Sequence, residues 1–176
     1  MLDLQSLIRS IPDYPKPGIL FRDITTLIEH PQGFRESVAR LAEPHRNLGI
    51  THVAGIEARG FIFGAGVAIE MGVGFVPIRK RGKLPGATIG QNYTLEYGVD
   101  TIEIHADVLS SVHKVLLVDD LIATGGTALA AVGLLRRTGA VVENAAFVID
   151  LFDLGGADKL RAIDVRIESL VSFPGH

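Results

Sequence analysis

Two adjacent carboxylates, Asp119-Asp120, stand between an apolar run, Val115-Leu116-Leu117-Val118, and a Thr- and Gly-rich stretch, Leu121-Ile122-Ala123-Thr124-Gly125-Gly126-Thr127. The run reads as a strand buried on both faces, with the carboxylates where it would end. The apolar residues 128–135 then read as a helix. In open α/β sheets, ligands bind where strands end at their carboxyl side and loops feed into helices. Backbone N–H groups at a helix start favour an anion, and Gly lets a phosphate approach closely. The stretch therefore points to a phosphorylated sugar. The amides and hydroxyls of Ala123, Thr124, Gly125, Gly126 and Thr127 would serve the phosphate, and Asp119 and Asp120 the ribose hydroxyls. The plain alternative is a solvated loop after a strand. Neither Gly-x-x-x-x-Gly-Lys nor Gly-x-Gly-x-x-Gly occurs here, so this is no P-loop or dinucleotide fingerprint.

A second charged cluster, Arg79-Lys80-Arg81-Gly82-Lys83, follows the apolar residues 73–78. Such a run is commonly a solvated face, but at the ligand end of a parallel strand it offers counter-charge to a polyphosphate. Residues 85–100 are punctuated by Gly86, Gly90 and Gly98, and Tyr93, Leu95 and Tyr97 alternate with polar residues. That pattern predicts a two-stranded ribbon turning near Gly98-Val99-Asp100, with the character of a mobile flap.

The elements that must position these groups can be placed from spacing. Residues 2–11, apolar at 4, 7, 8 and 11, predict a short amphipathic helix, after which Pro12, Pro15 and Pro17-Gly18 break regular structure. A helix over 34–48 should be bent or divided by Pro44, with Gly49 at its stop. Residues 52–56 predict a strand, Glu57-Ala58-Arg59-Gly60 a turn, 61–71 a helix ended by Gly72, and 73–78 a parallel strand. Gly64-Ala65-Gly66 falls inside that helix and is read as close helix packing. Strands follow over 141–149 and 165–171, with a loop and short helix from Asp153 between them.

At 176 residues with 47% hydrophobic content, the chain fits a single domain over 1–176 with a full core. Mean hydropathy is +0.32, yet no run approaches the roughly 18–20 apolar residues of a membrane span. The start, Met1-Leu2-Asp3-Leu4-Gln5-Ser6, has no signal-peptide pattern, and the absence of cysteine suits a reducing, cytoplasmic setting. A net charge of −3 argues against nucleic acid as the main partner, and no membrane partner is expected.

Residues 115–127 resemble the phosphoribosyl pyrophosphate signature of type I phosphoribosyltransferases. The resemblance spans almost the whole chain. Tyr14-Pro15-Lys16-Pro17-Gly18-Ile19-Leu20-Phe21-Arg22-Asp23-Ile24 looks like the N-terminal hood of the adenine-using branch, and Glu57-Ala58-Arg59-Gly60-Phe61 like its pyrophosphate loop. Residues 79–86 and Tyr93-Thr94-Leu95-Glu96-Tyr97-Gly98 match its basic segment and flexible loop. The implied fold is α/β, a mostly parallel central sheet flanked by helices, with a hood over about residues 1–30 and a β-ribbon flap over about 82–104.

The resemblance implies that adenine and phosphoribosyl pyrophosphate give AMP and pyrophosphate, with Mg²⁺ held mainly by substrate oxygens rather than by a protein cage. It implies Arg59, Arg79, Lys80 and Lys83 for pyrophosphate, and Leu20, Phe21, Arg22 and Leu121 around adenine. Glu96 would exchange a proton with the base at N7 or N9, and Tyr97 would position the flap or leaving group. Glu103 is read as structural. A homodimer is implied, in which part of the basic segment acts across the interface. A ligand-sensing regulator bound to nucleic acid is the competing reading, and the acidic balance weighs against it.

Overall fold

The computed structural model describes residues 2–95 and 98–175. In chain order its elements are β1 (Arg9–Pro12), β2 (Leu20–Asp23), α1 (Thr25–Glu29), α2 (Pro31–Ala42), β3 (His52–Ile56), α3 (Arg59–Met71), β4 (Gly74–Lys80), β5 (Thr88–Leu95), β6 (Gly98–His105), β7 (Lys114–Ile122), α4 (Gly126–Arg136), β8 (Val141–Leu151), α5 (Gly156–Arg161) and β9 (Arg166–Phe173). Among the described residues, seven strands form one sheet in the order β5-β6-β4-β3-β7-β8-β9, and β1 and β2 form a separate two-stranded sheet. Strands β4, β3, β7, β8 and β9 run parallel, while β5 and β6 join antiparallel at the edge. The expected α/β architecture is present.

Strand β7 lies at the centre because its side chains are apolar on both faces. Val115 and Leu117 enter one core with α4, while Leu116 and Val118 enter the other with α2 and α3. All four are fully buried, each contributing about 1.5–3 kcal/mol by leaving water. The chain leaves β3 through α3 toward β4, and leaves β7 through α4 toward β8 on the other side. The sheet order therefore reverses between β3 and β7. A crevice opens there at the strands' carboxyl ends.

The glycines of α3 let it settle closely. A Cβ on Gly64 would stand 3.0 Å from Phe75 and 3.3 Å from the Gly55 backbone, and one on Gly66 would stand 2.8 Å from Val38 of α2. Gly72 ends the helix in a left-handed conformation at φ 67°, as expected. Helix α2 begins at Pro31, capped by His30 Nδ1 accepting from Gly33 N at 3.0 Å, and breaks before Pro44 into a 3₁₀ turn at Glu43–His45.

The predicted helix over 2–11 is not formed. A 3₁₀ turn at Gln5–Leu7 buries Leu4 and Ile8, and residues 9–12 become β1. A lone ten-residue helix is marginal, whereas β1 gains pairing with β2 and the Arg9–Asp23 ion pair. Asp23 is pulled down to about 2 by hydrogen bonds from Thr25 and Arg9. The ribbon also differs in detail. Leu95 pairs with Gly98, so Gly98-Val99-Asp100 belongs to the returning strand. Ile102 and Ile104 are core residues, and β6 pairs with β4, so the returning half of the expected flap is part of the main sheet.

The contact between β3 and α3 yields a test. A Cβ on Gly55 would lie 2.8 Å from Phe75 and 2.9 Å from the Gly60 carbonyl oxygen. We expect Gly55→Ala to cost about 1–3 kcal/mol, read as a lower urea midpoint with unchanged m.

Candidate active site

The crevice is a cavity of about 470 Å³ whose walls come from the loop after β3, the end of β4, the ribbon, and the β7–α4 connection. Asp119, Asp120, Leu121, Ala123, Thr124, Gly125, Gly126 and Thr127 all line it, as do Arg59 and Lys80. Asp119 and Asp120 lie within the last turns of β7 rather than beyond it, because the strand pairs with β8 as far as Ile122↔Asp150.

The two carboxylates are held differently. Asp120 is 5% exposed and accepts from Arg59 Nε at 2.5 Å. Asp119 Oδ1 accepts from the Asp120 amide at 2.8 Å and faces the start of α3, where a Cβ on Gly60 would lie 2.6 Å away. Burial, then the neighbouring Asp120 charge, raises the Asp119 pKa well above the usual carboxylate range, partly opposed by the Asp120 amide and Arg59. Like charges on adjacent residues disfavour double ionisation unless a cation arrives between them and solvent. A ligand that develops positive charge beside this pair would relieve that strain.

The phosphate-type loop is held from below by a contact that sequence reasoning missed. Gly125 begins α4 in a left-handed conformation at φ 81°, and a Cβ there would lie 2.9 Å from Gly156 Cα. Gly156 N donates to Ala123 O at 3.0 Å, and Lys159 Nζ donates to Thr124 O at 2.8 Å. The carbonyls at 123 and 124 are tied to α5, and the first residues of α4, whose amides have no partner within the helix, line the cavity. The signal was present as Gly155-Gly156, but only the fold shows what these glycines approach.

The basic segment divides. Lys80 lines the cavity and pairs with Asp100 at 3.3 Å. Arg79 donates to Glu57 Oε2 at 2.9 Å and to Lys83 O at 3.1 Å, so its guanidinium is engaged in holding β4 to the loop after β3. Glu57 also accepts from Lys80 N at 2.9 Å. Arg79 and Lys83 do not line the cavity of this single chain. Glu103 Oε2 accepts from Gly82 N at 3.0 Å, in keeping with its structural reading. Tyr93, not singled out from sequence, lines the cavity and donates to Asp100 Oδ2 at 3.2 Å. Burial and the Asp100 charge raise its pKa, while a hydrogen bond with Thr127 opposes this. The alternation of residues 93–97 could have marked it.

Leu20, Phe21 and Arg22 lie in β2 and outside the cavity lining. The Phe21 ring stands 5.8 Å from the Arg59 guanidinium carbon, which brings the hood to the cavity rim. Among the described residues β2 pairs with β1 alone, which leaves its other backbone edge without a strand partner. Glu96 and Tyr97 lie outside the described residues.

Two adjacent carboxylates thus stand beside a Gly-rich helix start, with Arg59 and Lys80 lining the same cavity. Residues 24–175 match the family described as phosphoribosyl transferase domain. The chain belongs to the phosphoribosyltransferase family and is an enzyme of the glycosyltransferase class. Within that family its relatives are adenine phosphoribosyltransferases. That of Pectobacterium atrosepticum is 58% identical over 98% of this chain and 94% of its own. The crystal structure of the Rhodothermus marinus enzyme superposes with a TM-score of 0.90 at 46% identity, covering 97% of this chain and 96% of the other. The Saccharomyces cerevisiae enzyme, complexed with an imino-altritol bisphosphate and adenine, gives 0.89 at 37% identity, covering 96% of each.

A Cβ at Gly156 would lie 2.3 Å from Ala123 O and 2.7 Å from Gly125 N. Gly156→Ala should therefore displace the loop. In thermal melts, the rise in Tm that inorganic phosphate gives the parent protein should be largely lost in the variant.

Proposed function

We propose that this protein transfers the 5-phosphoribosyl group of phosphoribosyl pyrophosphate to adenine, giving AMP and pyrophosphate. The observation that carries the reading is the juxtaposition of Asp119-Asp120 and the 123–127 loop with Arg59 and Lys80 on the facing wall of one cavity. That arrangement matches the substrate's own order of charge: 5′-phosphate, ribose hydroxyls, pyrophosphate.

The residues' roles follow from the chemistry. Amides of residues 124–127 and the Thr124 and Thr127 hydroxyls hold the 5′-phosphate, while Asp119 and Asp120 accept from the 2′ and 3′ hydroxyls. Breaking the bond at ribose C1 leaves positive charge on the sugar, which the carboxylate pair stabilises. Arg59 and Lys80 meet the departing pyrophosphate, Lys80 exchanging Asp100 for it. Arg79 and Lys83 reach pyrophosphate only from a partner subunit in the homodimer we infer. Adenine lies between Leu121 and the hood near Phe21, its edge read by backbone at Leu20 and Arg22. A backbone donor–acceptor pattern distinguishes a 6-amino from a 6-oxo purine because the hydrogen-bond sense reverses.

Among the described residues no cluster of three His, Asp or Glu forms a metal cage. Glu57 and Asp120 are engaged by Arg79 and Arg59. Mg²⁺ would be held mainly by substrate oxygens, with Asp119 and Asp120 as the carboxylates lining the same cavity. When bound, the ion neutralises charge on the leaving group. Glu96 exchanges the proton of the base, and Tyr97 positions the flap. Purine salvage in the cytoplasm is the setting we infer, and no helix of the described residues is long and apolar enough to cross a membrane.

Two experiments test the reading. With phosphoribosyl pyrophosphate and Mg²⁺, adenine should be consumed in preference to hypoxanthine, guanine, xanthine and orotate; preference for a 6-oxo purine or orotate would overturn it. Glu96→Gln should lower kcat by roughly a hundredfold with little change in phosphoribosyl pyrophosphate affinity. An unchanged single-turnover rate would remove Glu96 from proton transfer.

A further inference from the structure

The hood meets the last strand of the main sheet through the Arg22 side chain. Arg22 stands opposite Ser10 in the β1–β2 register, and its Nη1 donates to Ser10 Oγ at 2.5 Å. Its guanidinium carbon lies 4.2 Å from the centre of the Phe173 ring. Its Nε is buried without a hydrogen-bond partner. Phe173 ends β9, is 7% exposed, and pairs in register with Leu151 of β8. The chain beyond it is seated as well. Gly175 N donates to Asp153 Oδ1 at 2.6 Å, and a Cβ on Gly175 would lie 2.6 Å from Leu154 Cγ.

A guanidinium over an aromatic face is held by the ring quadrupole, most strongly where water is excluded. An arginine with an unmet buried Nε stays there only if stacking and the Ser10 bond outweigh that cost. The side chain of Arg22 is thus committed to joining two sheets, which leaves its backbone for other work. Because Phe173 is fixed to β8 through strand pairing, it transmits the position of the main sheet to β2. The Arg22 side chain is held there between the Phe173 ring and Ser10 of β1.

We infer that Phe173 is a positioning residue for base recognition: with Ser10 it clamps Arg22 and thereby fixes the open backbone edge of β2 beside the cavity. The inference rests on the assignment of that edge to adenine made above. Base affinity then depends on a side chain in the last strand that itself has no part in the cavity lining.

The test uses Phe173→Leu, which keeps an apolar side chain and removes the ring, Phe173→Tyr, which restores a ring, and Ser10→Ala. Phe173→Leu should raise KM for adenine roughly five- to tenfold with KM for phosphoribosyl pyrophosphate and kcat within twofold of the parent. Phe173→Tyr should return adenine KM toward the parent value, and Ser10→Ala should raise it less than Phe173→Leu. Hydrogen exchange should quicken at amides 20–23 in Phe173→Leu and not in β7. An unchanged adenine KM in Phe173→Leu, or equal rises in both KM values, would overturn the inference. Should Phe173→Leu fail to fold, Ser10→Ala decides by the same split. If the parent protein does not use adenine, the functional reading fails separately, and exchange at amides 20–23 alone judges the clamp: unaltered exchange overturns it.

Discussion

Negative charge has to be carried to the end of a strand that is otherwise buried on both faces. Asp119 and Asp120 continue directly from four fully buried residues of β7. Two carboxylates in that place are costly unless each finds compensation. Asp120 finds Arg59, and Asp119 finds the Asp120 amide and the space left by Gly60. Both Arg59 and Gly60 belong to the start of α3, which follows the neighbouring strand β3. The pairing of β3 with β7 is therefore as much a requirement of the site as of the core. Burial there, together with the Asp120 charge, also leaves Asp119 with a raised pKa.

Around that pair, the site is built by backbone brought close to backbone. The 123–125 loop rests on Gly156, and α3 rests on Gly55 and Phe75. Such contacts confer rigidity without side-chain entropy, which suits a loop that must present amides in fixed directions. Longer side chains complete the frame. Glu57 gathers Arg79 and the Lys80 amide at the end of β4, and Asp100 gathers Lys80 and Tyr93 from β4 and the ribbon. The cationic wall is thus ordered by carboxylates before any anion arrives. Arg59 and Lys80 are each held by a carboxylate, Asp120 and Asp100, that an incoming anion could displace.

The hood follows another logic. It is a small sheet of its own, and its strands are too short to stand without support. The Arg9–Asp23 pair joins β1 to β2, while the stack of Arg22 on Phe173 ties β2 to β9. The β1–β2 sheet is consequently anchored on the last strand of the chain, whereas the Gly-rich loop issues from the central one.

Much of this was legible in residue order. The buried run before Asp119-Asp120, the Thr-Gly loop, the strand–helix–strand unit over 52–78 and the break at Pro44 all follow from local periodicity and backbone chemistry, and the structure has them. The packing role of Gly64 and Gly66 was also readable, since a dinucleotide fingerprint would not lie inside a helix. What local pattern could not supply was the partner across space. The apolar spacing of residues 2–11 suits a helix, yet pairing with β2 and the Arg9–Asp23 contact make residues 9–12 a strand. The basic run over 79–83 looks uniform, yet register places Lys80 at the cavity and commits Arg79 to Glu57. Sequence by itself placed two carboxylates and a Gly-rich turn between a buried strand and a helix, because those groups belong to one contiguous stretch. Only the tertiary structure decided which cation faces the cavity, what supports the loop and what holds the hood. Those depend on contacts between residues far apart in the chain, and no spacing rule encodes them.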